Sequence, residues 1–347
     1  MSINCSNNGQ LIFNVTLNQS YCQCNPCYQG LNCSELIPRK QQVQFNLKRD
    51  NFIISLILTL LTLLNNHLTV ELCIRSKRIR STNIGIYLII YSLVSIIGRI
   101  LLFISDSIQY MKSIDLHENI ELDETLQCFL EKLGKHVATF ICVWIGALIA
   151  FERALIICST VRMNASRWRS MKVLLISLCF IAPTCILMLI YRCQEDSPHG
   201  TLESRLTSAL IYTVDFLAGV IYLASTIIVL KNLASRISHF TSVQQSRRNI
   251  YRILLKRHFF IFLPPLIYSL CVLPYQIWYP INRSKQTFLY CGISATEYLF
   301  KILVYQLTPV PTAITWLIFI YPSNVYMTEF YRETRLGRRL QQRLLIH

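Results

Sequence analysis

Glu152 and Arg153 stand side by side in LIAFERALIICST (residues 148–160), a stretch with no other charge. Further charges interrupt apolar stretches at Arg99, Lys135, Asp215, Glu297 and Lys301. A charge at a bilayer centre costs roughly 2.5–3.5 kcal/mol on insertion scales, so such groups are retained for a task. The tasks open to them are pairing with one another, holding a ligand, or switching between partners. Catalysis fits less well. His67, His136 and His258 are scattered singly, no His/Cys/Asp set has ligand spacing, and no phosphate-cradling loop occurs. The residues predict no enzyme, no cofactor and no metal.

These charges need elements that place them at defined depths. Only 15% of the 347 residues are charged, against about 25% in a soluble domain, and 53% are hydrophobic. The apolar residues come in blocks near 52–74, 84–105, 126–151, 171–191, 206–230, 258–279 and 294–320. A membrane helix needs roughly 20 such residues. Seven spans joined by short connectors leave no room for a separate catalytic domain. The expected fold is an all-α seven-helix membrane bundle over 51–321. A disulfide-rich outer tail (1–50) precedes it, and an amphipathic cytoplasmic helix with a short tail (322–347) follows.

Charge sets the orientation. The net charge is +16, but its placement argues for a membrane partner and against nucleic acid. The connectors after spans one, three and five and the last tail hold 21 of the 34 Lys and Arg. The opposite connector at 115–127 carries Asp115, Glu118, Glu121, Asp123 and Glu124 with no Lys or Arg. Basic residues concentrate on the cytoplasmic side, which puts the N-terminus outside at the plasma membrane. Arg39, Lys40, Lys48 and Arg49 oppose this locally. Glycosylation sequons at Asn4, Asn14, Asn18, Asn32 and Asn282 all fall on the expected outside; one at Asn164 falls inside by chance.

Eight cysteines lie outside the spans: Cys5, Cys22, Cys24, Cys27, Cys33, Cys128, Cys193 and Cys291. An even number in an oxidising compartment favours disulfides over a zinc site. The spacing in YCQCNPCYQGLNC (21–33) resembles the C-terminal half of an EGF module, which implies that Cys24 and Cys33 close a loop turned at Gly30. Cys27 departs from that pattern.

Cys128 precedes Arg153 by 25 residues, roughly 37 Å of helix. With that spacing the chain resembles the rhodopsin-like seven-helix G-protein-coupled receptors, in a divergent invertebrate form. Their third helix opens on a disulfide cysteine and closes on Asp/Glu-Arg-Tyr. CVLP (271–274) is similar to the family's Cys-Trp-X-Pro, with Val272 for Trp. PVPTAITWLIFIYP places Pro311 where Asn-Pro-X-X-Tyr is expected, with Val310 for Asn and Ile314 for Tyr. The segment 323–340 looks like the eighth helix. Ala154 replaces the Tyr, and span two lacks the family's Asp.

The resemblance implies a Cys128–Cys193 disulfide. It also implies activation through Glu152, Arg153, Cys271, Pro274 and Pro311, with a heterotrimeric G protein as the inner partner. Lys135, five turns before Arg153, matches the family's main ligand-contact position. Arg99, Thr139, Asp215, Tyr275, Trp278, Glu297 and Lys301 complete the expected outer site. Glu297 and Lys301, one turn apart, are equally a mutual ion pair, and Tyr275 and Trp278 equally an interfacial belt. The implied function is transmission of an extracellular signal, carried by a peptide or small molecule, with chemosensation one form of it. The alternative is a membrane transporter or channel, which predicts an internal repeat and discontinuous helices; no repeat is visible.

Overall fold

In the computed structural model, the described residues are 9–14, 19–24, 28–29, 35–36, 38–114, 124–158, 167–193, 202–240, 259–275, 277, 300 and 303–344. Most of them are helical. In the tail before the helices, β1 (Gly9–Asn14) and β2 (Gln19–Cys24) form an antiparallel hairpin. Two short strands, β3 (Tyr28–Gln29) and β4 (Glu35–Leu36), pair after it in the chain. Extended pairing answers the backbone needs of a tail with no helical apolar face.

The helices follow as α1 (Pro38–Arg75), α2 (Lys77–Arg80), α3 (Asn83–Ser113), α4 (Glu124–Glu131), a π segment (Lys132–Val137) and α5 (Ala138–Cys158). Then come α6 (Arg167–Cys193), α7 (Leu202–Phe240) and α8 (Phe259–Cys271). Short pieces α9 (Val310–Ala313) and α10 (Thr315–Phe319) precede α11 (Asn324–Glu333) and α12 (Arg335–Leu344). Five stretches are long and apolar enough to cross a membrane: Lys48–Arg75, Asn83–Lys112, Leu126–Glu152, Ser170–Leu187 and Phe216–Ser235. Phe262–Tyr275 is apolar but shorter. The expected last span (294–320) is continuously described only from 303 onward, where it is broken into pieces.

The helices turn polar seams inward and apolar residues outward, as lipid requires. In α1 the buried Thr59, Thr62, Asn66 and Thr69 recur every three or four residues. Each donates to the carbonyl four residues earlier, at 2.6–2.9 Å. Ile57, Leu60, Leu64, Ile176, Phe180, Phe216 and Leu270 are exposed. A soluble monomer rarely leaves so much apolar surface open. α5 is central: its spanning window is 65% buried against 28% for those of α6 and α7. Ile145 and Ile149 of α5 pack with Leu72, Tyr87, Ile318 and Phe330, and Trp144 and Ala147 with Ile181, Ala218, Tyr222 and Tyr268.

Two close approaches fix α3 against the π segment. A Cβ on Gly98 would collide with Ala138 Cβ, and one on Gly134 would lie 2.7 Å from both Gly98 O and Leu102 N. Gly134 and Ala138 form the small-xxx-small spacing that lets membrane helices touch backbone to backbone. Near the other wall the chain breaks at Ile314 (φ −112°, ψ 30°) between α9 and α10. Lipid offers no water to a freed carbonyl. At the break, Thr312 O accepts from Asn66 Nδ2 and Thr315 Oγ1, both at 2.9 Å.

Candidate functional site

Where the membrane-length stretch Leu126–Glu152 ends, with α5 running on to Cys158, the Glu152 carboxylate is half-buried and joins three helices. Its Oε1 accepts from Asn83 Nδ2 at 2.6 Å and from Ser170 Oγ at 3.0 Å, with Oε2 3.3 Å from the same hydroxyl. Asn83 is the first residue of α3, behind the Thr82 cap whose Oγ1 accepts from Gly85 N at 3.3 Å. Ser170 is in the first turn of α6 and fully buried. A carboxylate at two helix N-termini meets the positive ends of both dipoles. Tyr87 Oη adds a bond to Ser170 O at 3.4 Å. The Arg153 backbone continues α5, and its side chain is outside the described set.

A second carboxylate at the same end is Glu329, which the sequence reading missed. It is 1% exposed. Ser76 Oγ donates to its Oε2 at 2.7 Å, and Arg332 Nη2 donates to the same oxygen at 3.0 Å. Arg78 lies 3.9 Å from Oε1. Ser76 also caps α2, accepting from Ile79 N at 3.3 Å. α11 is thereby clamped to the turn after α1. The available signal was an acid in a basic amphipathic segment, three residues before Arg332 and four before Glu333. Together Glu152 and Glu329 hold five chain segments with one charge each.

Deeper in the bundle, a cavity of about 30 Å³ is lined by Tyr91, Thr139, Cys142, Tyr222, Tyr268, Thr308, Pro311 and Thr312 among others. That is room for one or two waters, well short of the several hundred Å³ of a ligand pocket. It brings Thr139 and Pro311, expected to serve different roles, to one void. Cys271 packs half-buried beside Tyr268, and Pro274 is half-buried in the helical piece past the turn at Val272.

Toward the other end the expected ligand residues separate. Arg99 is 4% exposed and turned to α1: Nη2 donates to Ser55 O (2.8 Å) and Ser55 Oγ (3.0 Å), and Nε to Thr59 Oγ1 (3.2 Å). Three neutral acceptors hold this charge inside the helix pair. Tyr275 does cross to the π segment, its ring 6.0 Å from that of His136. Lys135 lies within the π segment, so the straight 3.6-residue phase assumed between it and Arg153 does not hold there. The side chains of Lys135 and Asp215, and residues Trp278, Glu297 and Lys301, are outside the described set. So are all five outer sequon side chains and the side chains of Cys24, Cys33 and Cys193. Cys22 and Cys128 are disulfide-bonded, with no partner identified among the described side chains. Cys73, Cys142, Cys179, Cys185 and Cys271 are free thiols.

Among the described residues no group of three or more His, Cys, Asp or Glu could hold a metal ion. Compared with known proteins, the chain matches no family model and resembles no curated protein closely enough to count as a relative.

Proposed function

We propose that the chain is a seven-helix receptor of the plasma membrane, N-terminus outside, that passes an extracellular signal to heterotrimeric G proteins. The observation that carries this reading is the Glu152 junction. The carboxylate is engaged by α3 and α6, and it sits beside Arg153 at the end of the most buried membrane-length stretch. Charge at that point couples the starts of α3 and α6 to α5 in one arrangement, which is what a two-state switch requires. The cavity lined by Thr139 and Pro311 lies between elements that would have to repack. The ligand would enter from the end carrying Tyr275 and His136, and a peptide or zwitterion suits a site with both charge signs.

The test is guanine-nucleotide exchange on a panel of G proteins in membranes holding the protein or Arg153→Ala. Exchange above empty membranes that Arg153→Ala abolishes, at equal surface expression, supports the reading. Equal exchange for both rejects it.

One feature favours a transporter or channel instead: the break at Ile314, since discontinuous helices build ion sites in such proteins. Against that reading, the carbonyl at the break is taken by Asn66 and Thr315, so it is not left open to an ion.

A further inference from the structure

Arg99 carries its charge inside the apolar layer, and its hydrogen bonds answer only part of it. It lies in the membrane-length stretch Asn83–Lys112 and is 4% exposed. A guanidinium has five N–H donors and no acceptor. Nε donates to Thr59 Oγ1, and Nη2 donates to Ser55 O and Ser55 Oγ. Neither N–H of Nη1 has an acceptor among the described residues. None of the ion pairs among the described residues includes Arg99. Its neighbours on α1 add donors, not acceptors. Thr59 donates its hydroxyl hydrogen to Ser55 O at 2.6 Å, so that carbonyl already accepts from two side chains. Ser55 is buried and accepts at Oγ from Arg99, while its own hydroxyl hydrogen has no described acceptor. Two N–H groups on Nη1 and one O–H on Ser55 are therefore left over beside a positive charge.

Toward the start of α1 this seam is covered by aromatic rings. Phe52, one turn before Ser55, lies between Phe103 and Tyr110 of α3, with ring centroids 5.8 and 5.0 Å away. Asp106 stands between those two residues along α3, two turns beyond Arg99, and is half-buried. Its field reaches the guanidinium without an ion pair. Apolar walls keep the local dielectric low, so charge acts over a longer range here than in water. The seam is also distinct from the outer site expected around Lys135. Arg99 faces α1, whereas its chain neighbour Gly98 faces the π segment that carries Lys135.

We propose that Arg99 and Ser55 form a binding site for one small monovalent anion between α1 and α3. Water is the rival occupant and suits the place less well. It could accept from Nη1 and Ser55, but it would bring two donors of its own to a seam already in excess of donors. It would also leave the buried charge uncompensated, which is the costly part. A halide ion or an ionised carboxylate only accepts, and it cancels the charge. A dianion would exchange one uncompensated charge for another and meet stronger repulsion from Asp106. Two sources supply the right chemistry: a free ion such as chloride, and a small carboxylic acid. The inference rests on the packing of α1 against α3, and coupling to a G protein is not required for it.

The test is thermal unfolding of the full chain in nanodiscs of phosphatidylcholine, at fixed sodium and ionic strength. Bulky gluconate is replaced stepwise by chloride or by acetate. A ligand that binds only the folded chain raises Tm saturably with its concentration. A rise with chloride assigns the site to a free halide, and a rise with acetate alone assigns it to a carboxylate; either supports the proposal. Arg99→Gln should abolish the rise. Asp106→Asn removes the repelling charge two turns away. At an effective dielectric of about 20 it should lower the half-saturating anion concentration by roughly tenfold. That arm decides the matter even where Arg99→Gln does not fold. Midpoints that respond to neither anion overturn the proposal, as does a response that Arg99→Gln shares or that Asp106→Asn leaves unchanged. Loss of nucleotide exchange in the receptor assay, with the anion dependence retained, would reject the receptor reading alone.

Discussion

Replacing Glu152 should separate two roles of its carboxylate, as an acceptor and as a charge. Glu152→Ala removes the acceptor of Asn83 Nδ2 (2.6 Å) and Ser170 Oγ (3.0 Å). A hydrogen bond to a charged group contributes about 1.5–3 kcal/mol. The carboxylate is partly exposed, so the lower end applies, and the two bonds come to about 3 kcal/mol. That corresponds to a local opening equilibrium on the order of a hundredfold larger at the starts of α3 and α6. Glu152→Gln behaves differently for a specific reason. Asn83 Oδ1 is buried without a partner, so after an amide flip it can accept from the new Gln amide. Ser170 can still donate to the Gln oxygen. What remains lost is the charge at two helix N-termini, about 1 kcal/mol, or roughly fivefold in opening. Hydrogen exchange at 87–92 and 172–177 in nanodiscs reads both variants. If Gln and Ala lose protection equally, the charge and not the bond network holds the junction. No change in either would dismiss the junction altogether.

The remaining predictions concern packing, the helix break and the cysteines. Gly134→Val puts a branched side chain where a Cβ already meets two backbone atoms at 2.7 Å. Overpacking of this kind costs about 1–3 kcal/mol or more, and surface expression should drop sharply; normal expression would mean that α3 and the π segment can part freely. Asn66→Ala leaves Thr312 O with the Thr315 hydroxyl alone, so Asn66→Ala and Thr315→Ala should be non-additive by about 1 kcal/mol in a thermal-stability double-mutant cycle. Additive effects would dismiss a shared role at the break. Non-reducing peptide mapping should recover Cys128 joined to Cys193; Cys128 joined to a tail cysteine would redraw the outer face. Glycosidase should lower the mass through Asn4, Asn14, Asn18, Asn32 or Asn282, and sugar on Asn164 would invert the orientation.

Much of this molecule is legible in one dimension. Whether a segment enters lipid depends on the summed transfer free energy of its own residues, so the blocks at 52–74, 84–105, 126–151 and 171–191 foreshadow the helices later found there. The position of Glu152 at the end of a membrane-length stretch follows the same way, from the count of apolar residues before it. Its partners do not. Asn83 and Ser170 are 69 and 18 residues away, and nothing in either local sequence marks it as a donor to a carboxylate. Glu329 looks like a surface acid paired with Arg332 until α11 folds back onto Ser76, 253 residues earlier. Asn66 becomes necessary only because a carbonyl 246 residues later loses its place in a broken helix. Arg99, by sequence a candidate for ligand, is taken up by two hydroxyls and a carbonyl of α1. The π segment also escapes pattern reading, since KLGKHV carries the same residue types as an α-helix. Transfer into a membrane is a property of a segment, whereas the partner of a buried polar group is a property of the packing, and only the folded bundle decides it.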